Sequence, residues 1–483
     1  MAIDLDTIAR LVALEKGKAV PVASDLQVAI QPDALVLCCV AMAGEDTTVH
    51  IVACGRVGRP AEFKSVPDPR FRDDQYELFA WVGQRVEEYY ADCRQLGTHP
   101  QIWVSSEAAV KHLDVLADRL RYNQNNPGVR RFGELLTYAT ERYPVGGEQA
   151  LHAATTALRR HYVTGQQAAE DEHLGTLLTW IDPPRGRNIL AAVALVEQTP
   201  MGVKTDPVFD LSTLDRLVRA YNQARRGGAS AGQLKRRAQS IHDALLTVVS
   251  PIYDATQTAV SILRTRWSRT LLALPQLQVR EAQEFESFMQ ARDGGFFLPL
   301  RDKPKAAAFK LTERENARET IEAAVCIGDR VALAKARLAG RVLEGTVENP
   351  RRARVRPRIF ESTFGLVSVQ RVLRIRPRDE LRLLSDPRQK VMVRSVERQG
   401  RITRVQLEIL KGQNAVGLPA AGSSAVFTPS VPDWNSLMQA RVQLAERLAN
   451  QPWTHATDTV MPGREPSQLM RPADVLAAVE ALR

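Results

Sequence analysis

The sequence is short of cysteine and has no long apolar run, and each shortage excludes something. Its 483 residues hold five cysteines: Cys38, Cys39, Cys54, Cys93 and Cys326. An odd count with no C-x-x-C pair argues against a disulfide framework and against a zinc knuckle. Cys38 and Cys39 sit in an apolar run, where a free thiol behaves as a small core hydrophobe. No apolar stretch approaches the roughly 18–20 residues needed to cross a bilayer, so no membrane partner is expected. The first residues, "MAIDLDTIARLVALEKGK", carry early acids and no secretory h-region or small-residue cleavage site. Together with unpaired thiols this leads to an expectation of a reducing, cytoplasmic setting.

The motifs that announce common chemistry are also missing. There is no G-x-x-x-x-G-K-[ST]: Gly17-Lys18 is followed by Ala19, which offers no hydroxyl to magnesium. Neither G-x-G-x-x-G nor H-E-x-x-H occurs. The acids and lysine of a RecB-type nuclease cannot be assembled as G-x-x-D…E-x-K. Asp25, Asp33, Glu45 and Asp46 flank the first strands, where an RNase H-like nuclease would place acids, but turn acids are common and no strained pair stands out. No catalytic residue, metal ligand or cofactor is assigned. An accessory, non-enzymatic chain is the expectation, with a divergent metal-dependent nuclease as the alternative.

What is present predicts an α+β multidomain chain. Residues 1–125 alternate strand and helix signals. "LQVAIQPDALVLCCVAMAG" and "TTVHIVACG" are rich in β-branched and apolar residues, with a Gly44-Glu45-Asp46 turn between them. "DDQYELFAWVGQRVEEYYADCRQL" has helical apolar spacing, and Ile102–Val104 runs into Ser105 and Ser106 as helix-capping candidates. This is a small α/β domain. Residues 126–300 read as a helical domain, with a kink or break expected at Pro251 because proline lacks the backbone donor. Residues 301–430 turn to short β-type runs, from "DRVALAKARLAGRVLEGTVENP" to "SSAVFTP", with recurrent turn signals. They suggest a small basic barrel of OB or SH3 type. "RDKPKAAAFK" at 301–310 is the expected hinge, and 431–483 a helical tail.

The densest run of chemistry-capable side chains is "HYVTGQQAAEDEHLGTLLTWIDPP", residues 161–184. Thr164 and Gln167 fit a capping box, so a helix is expected from about Gly165. Leu174, Leu177, Leu178 and Ile181 make a buried stripe, and Asp182-Pro183-Pro184 ends it. Glu170 and His173, three apart on one helix face, could share a metal, but the further ligands such a site needs are not in place. A capped acidic helix accounts for the same residues.

Charge is the strongest functional signal. Net charge is +10, and residues 330–410 hold 20 Lys/Arg against 8 Asp/Glu, so this segment nets +12 and the rest −2. Five arginines fall within eight positions: Arg351, Arg352, Arg354, Arg356 and Arg358. In a strand, Arg374, Arg376 and Arg378 would line one face, a pattern suited to phosphates. Phe360, Phe364 and Phe427 could stack on bases. The competing account is a solvated basic face, or arginines paired with the acidic helices.

"DLQVAIQPDALVLCCVA", "QIWVSSEAAVKHLDVLADRL" and "LLTWIDPP", with "RPRDELRLLSDPRQKVMVRSVE" downstream, resemble the non-ATPase regions of bacterial superfamily 1 helicases fused to a RecB-like nuclease. The 161–184 stretch and "QPWTH" also resemble a set of actinobacterial proteins. The resemblance implies a degenerate RNase H-like domain, a helical region and a β-barrel, and covers about half the chain. The Walker motifs and nuclease acids are absent, so no catalytic role carries over. It implies an accessory component whose helicase-type ATPase or nuclease partner is encoded separately, with DNA or RNA as ligand and repair or phage defence as the setting. Phosphate contacts are expected from Arg351, Arg352, Arg354, Arg356, Arg358, Arg374, Arg376 and Arg378. A scaffold that docks an ATPase is the other possibility.

Overall fold

The computed structural model describes residues 5–431, apart from 46, 144–146, 148–149, 296–303 and 357–358, with 439, 442, 443, 445 and 446. The chain divides into two compact units, Met1–Leu300 with Arg314–Pro432, and Arg301–Glu313 with Asp433–Arg483. Of the second unit, residues 304–313 are helical, and Thr312 Oγ1 donates to the Ala308 carbonyl at 3.2 Å. The expected tail at 431–483 lies almost wholly outside the described residues, as do 301–303 of the expected hinge.

The first unit opens with α1 (Leu5–Lys16), β1 (Val20–Pro21), β2 (Leu35–Ala41), β3 (Val49–Arg56), β4 (Glu62–Ser65), α2 (Arg72–Gln95), β5 (Ile102–Val104), α3 (Glu107–Leu120), α4 (Pro127–Arg142) and β6 (Leu151–Ala153). Five of these strands form one sheet in the order β4-β3-β2-β5-β6. β2, β3 and β4 are an antiparallel meander, and β5 and β6 then add parallel to β2. The hairpin expected around Gly44 is the β2–β3 pair. Ser106 takes the N-cap position of α3, though without a side-chain cap bond.

β2 reads "LVLCCVA" and is buried at every residue. Alternate side chains of a strand point to opposite faces. Leu35, Leu37 and Cys39 enter one core, with Leu78, Val82, Leu113 and Phe132 from α2, α3 and α4. Val36, Cys38 and Val40 enter the other. A strand that is apolar on both faces needs both covered. The second cover comes from beyond residue 125: α5 (Ala154–Arg159), then, after β7 (Tyr162–Val163), α6 (Leu174–Ile181), α7 (Ile189–Glu197), the short α8 (Pro207–Phe209), α9 (Asp215–Arg226) and α10 (Ala231–Arg266). Leu177, Trp180, Ile241, Leu245 and Ile252 of these helices share the second core with β2.

The expected boundary at 125 therefore falls inside a three-layer α/β/α body. Its fifth strand, β6, and one of its helical layers come from the residues read as a separate helical domain. α10 continues through Pro251, so of the kink or break expected there the break does not occur. The helix runs 36 residues. Burial of Val249, Ile252, Tyr253 and Val260 on either side of Pro251 offsets the roughly 3 kcal/mol cost of an internal proline.

α11 (Leu274–Asp293), α12 (Pro304–Gly328) and α13 (Arg330–Leu338) precede the barrel. The β-type reading of "DRVALAKARLAG" is corrected here. Asp329 caps α13 by accepting from the N–H groups of Val331 and Ala332, and the alanines favour helix once that cap is set. The barrel itself is β8 (Leu343–Arg356), β9 (Ile359–Ser368), β10 (Glu380–Leu383), β11 (Lys390–Gln399) and β12 (Ile402–Lys411), then, after the short α14 (Gln413–Val416), β13 (Ser424–Pro429). The six strands close in the order β10-β11-β12-β9-β8-β13, all pairs antiparallel. β12 shows why: Val405, Leu407 and Ile409 point in while Arg404, Gln406 and Glu408 point out. Gly345 is required where β8 crosses β9, since a Cβ there would run into the Val367 carbonyl.

The 161–184 stretch also differs from its expectation. The helix begins at Leu174 rather than near Gly165, and His173 is its N-cap, with Nδ1 accepting from the Thr176 N–H at 3.2 Å. Thr164 donates instead to buried Asp171 at 2.6 Å, and Arg10 also holds Asp171 at 3.2 Å. The expected stripe is there, with Leu174, Leu177 and Ile181 buried.

Candidate nucleic-acid interface

The barrel's basic residues fall into two classes. Some are held by its own acceptors. Arg388 pairs with Asp386 at 2.6 Å, Arg337 with Glu344 at 3.0 Å, and Arg394 with Glu408. Arg382 binds the Pro387 carbonyl at 2.7 Å and the Val431 carbonyl at 3.3 Å. Others are exposed with no acidic side chain bonded to them among the described residues: Arg351, Arg354, Arg371, Arg374, Arg376 and Arg378. These six guanidinium groups, each with five donors and a permanent charge, are thus presented to solvent from one small barrel.

The eight predicted arginines do not share one face. Arg351, Arg352 and Arg354 lie exposed on β8, and the backbone of Arg356 ends that strand. Arg358 lies outside the described residues, as does the side chain of Arg356. Arg374, Arg376 and Arg378 are exposed but not on a strand, which corrects the expected period-two face. They belong to the connection from β9 to β10. Three local features replace pairing with a turn. Pro377 withholds a donor. Arg378 takes a left-handed φ of 76°. The Arg376 N–H donates to Asp379 Oδ2 at 2.7 Å. A short acidic side chain that accepts from nearby backbone favours turns in this way. Ile375 anchors the loop by entering the barrel core.

The two groups are held at different places on the barrel. Arg354 pairs with Phe360 near the start of β9. The loop leaves after Ser368 at its end, and the Arg374 and Arg378 N–H groups then donate to the Gly340 carbonyl and to the Val393 carbonyl of β11, each at 2.8 Å. The expected stacking platforms are also corrected. Phe364 and Phe427 are 1% and 0% exposed and pack on each other at 5.9 Å in the barrel core. The side chain of Phe360 lies outside the described residues.

The acids weighed for catalysis are dispersed into structural roles. Asp25 binds Arg269 at 2.6 Å, Asp33 binds Arg56 at 3.2 Å and Glu45 binds Arg70 at 3.3 Å; Asp46 lies outside the described residues. Glu170 and His173 are not on one helical face. Glu170 accepts from the Gln167 N–H at 2.6 Å in a 3-10 turn, while His173 Nε2 meets the Thr199 carbonyl at 3.0 Å. Among the described residues no group of three or more His, Cys, Asp or Glu is placed to hold a metal ion.

One polar cluster was not anticipated. His50 of β3 is fully buried, and neither ring nitrogen has a hydrogen-bond partner of good geometry, although the Pro67 carbonyl is near enough to favour the protonated ring. Burial pushes its pKa down to about 4, against the opposing influence of Asp68 and Asp210. Asp68 accepts from Asn222 Nδ2 at 2.7 Å, Asp210 accepts from the Ala43 N–H at 3.0 Å, and Asp74 lies 3.9 Å from Arg225. One oxygen each of Asp74, Asp210 and Asn222 is buried without a hydrogen bond. Acceptors outnumber donors here, so the cluster favours protons or ordered water. Its residues come from four separate stretches, and the only sequence signal was a histidine inside the apolar run "VHIVAC".

His161, the other buried histidine of note, is fully satisfied. Its Nε2 accepts from the Gln27 N–H at 2.9 Å. Nδ1 therefore carries the proton. It donates to the Ala157 carbonyl at 2.7 Å. Burial lowers the His161 pKa to about 4. The cysteines are buried, and desolvation raises the Cys38 and Cys54 thiols to about 12, which makes them inert packing.

In comparison with known proteins, no family model, curated protein or solved structure matches the chain. No helix among the described residues is long and apolar enough to cross a membrane.

Proposed function

We propose that this chain is a nucleic-acid-binding accessory component of a helicase or nuclease system, serving DNA repair or phage defence. It contacts phosphates through barrel arginines and works beside a separately encoded ATPase or nuclease. The observation that carries the reading is the two exposed arginine groups on one barrel, one on β8 and one on the β9–β10 connection. A small phosphate ligand meets one group only. A polymer with a charge every few ångströms meets both.

The strand order of the sheet, an antiparallel meander followed by two parallel strands, supports reading the first body as RNase H-like. Its candidate acids are committed to arginine partners, which favours a degenerate, non-catalytic version. The barrel is read as an OB/SH3-like module with one strand more than the five of an OB-fold.

The test is a salt series. The full chain is titrated against labelled single- and double-stranded DNA and RNA from low to moderate salt. Binding that weakens steeply and log-linearly with salt is expected, because each phosphate contact releases counterions. No binding to any of the four at low salt overturns the proposal.

A further inference from the structure

The barrel does not end where its closure ends. β13 pairs with β8 over 343–346, with Gly422 and Ser423 just before it bonded to Val347, and β12 pairs with β9 over 363–368. Beyond these, among the described residues, β8 and β9 pair with each other alone, from Arg352 opposite Ser362 to Arg356 opposite Ile359. This leaves a two-stranded ribbon about 15 Å long with no third strand on either side among the described residues. It is set off from the barrel by a bulge. Asn349 adopts a left-handed φ of 47°, Pro350 follows, and the register shifts between Glu348 and Arg351. A bulge adds a residue to one strand, bends it and increases its twist, which turns the ribbon away from the barrel wall.

The ribbon is where the arginines are densest. Arg352 and Arg354 share one face, and Arg351 takes the other, since neighbours in a strand alternate. All three are exposed.

We infer that this ribbon enters the major groove of B-form duplex DNA, with Arg351, Arg352 and Arg354 gripping phosphates and base edges. The inference rests on the nucleic-acid reading above and narrows its ligand. Three observations favour a duplex. Two strands about 4.8 Å apart, with side chains, match a groove about 12 Å wide and not one of about 6 Å. Arginines on both faces of the ribbon meet both walls of a groove. Single-strand readers instead need exposed aromatic platforms, and of the barrel phenylalanines whose side chains are described, Phe364 and Phe427 are spent in the core. A-form RNA hides its major groove from side chains, so DNA is the ligand rather than RNA duplex.

The experiment compares wild type, Arg351→Ala/Arg354→Ala on the ribbon, and Arg374→Ala/Arg376→Ala/Arg378→Ala on the loop. Each is tested against a 20-base-pair DNA duplex, the same sequence as a single strand, and the duplex with glucosylated hydroxymethylcytosine filling the major groove. Thermal melts check that the variants fold. The ribbon variant is expected to lose about tenfold or more in duplex affinity while keeping its single-strand affinity. The loop variant is expected to weaken on both ligands, and the filled groove to weaken wild type about tenfold. Binding only single strands, or both forms equally with equal loss in the ribbon variant, overturns this inference and leaves the wider proposal standing. So does indifference to the filled groove. Binding to no nucleic acid removes both.

Discussion

The three-layer body and the barrel both carry many arginines, and they use them differently. In the body, arginine is a structural tie. Arg56 reaches Asp33 at 3.2 Å and Asp92 at 2.8 Å while lying over the Tyr89 ring at 4.2 Å. Arg94 binds Glu286 at 3.0 Å and Asp293 at 2.7 Å, and Arg142 binds the fully buried Glu281 at 2.9 Å. In the barrel, Arg351 and Arg354 of the ribbon and the arginines of the β9–β10 loop have no acidic partner among the described residues. Net charge alone does not separate these cases. What separates them is whether an acid has already been placed within reach, and that decides whether a guanidinium holds the fold or is left for a ligand.

The largest effect that would sharpen this contrast is on binding. Reversing Arg351, Arg354, Arg374, Arg376 and Arg378 to Glu is expected to cut nucleic-acid affinity at least about 100-fold at low salt and flatten the salt slope. The thermal midpoint should stay where it is. A large drop in melting temperature would show that these arginines hold the fold after all.

Next is the buried tie. Arg142→Ala takes a guanidinium from the fully buried Glu281, which also meets Arg280 at 3.4 Å. Breaking such a buried pair is expected to cost about 3 kcal/mol in urea unfolding. Unchanged stability would break the claim that the body's arginines are structural.

The third lies in pH. His50 and His161 are held neutral, with pKa values lowered from 6.5 to about 4. The unfolded chain takes up protons first as pH falls through 6.5, so stability drops between there and 4. Each histidine contributes about 2 kcal/mol of that loss between pH 7 and pH 5. Replacing His50 by Gln should remove its share of the slope. A pH profile unchanged by that variant would place the acid sensitivity elsewhere. The barrel has no buried histidine among its described residues, so the slope belongs to the body.

The smallest effect is at an exposed pair of the body. Lys64 and Glu77 meet at 2.7 Å, with Glu77 largely exposed. Lys64→Ala should cost less than about 1 kcal/mol in the same urea unfolding, since water and salt screen such a pair. A larger loss would mean that even the body's surface pairs are structural.

Much of the fold could be read from local pattern. "LVLCCVA" and "VHIVAC" read as the strands of a hairpin, residues 301–430 as a small barrel, and Leu174, Leu177 and Ile181 as a buried stripe, because periodicity and β-branched content report which sides of an element face apolar neighbours. Boundaries were less legible. The fifth strand, Leu151–Ala153, is three residues long and carries no signal of its own; it is a strand because β5 offers an edge. Helix α6 starts at Leu174 because Asp171, which favours a helix start, is drawn away by Thr164 and Arg10. Arg374, Arg376 and Arg378 alternate as a strand would, yet Pro377 and the Asp379 turn prevent pairing.

By itself the sequence determined composition-level facts: a mixed α+β chain, five cysteines without disulfide or zinc-knuckle spacing, and an excess of basic residues confined to residues 330–410. Those follow from residue type and spacing, which need no long-range contact. Only the tertiary structure decided which arginines are spent and which are exposed. It alone split the basic residues into a β8–β9 ribbon and a β9–β10 loop, and brought His50 to Asp68, Asp210 and their neighbours. Those depend on strand register and on partners far along the chain, where a shift of one residue turns every side chain to the other face.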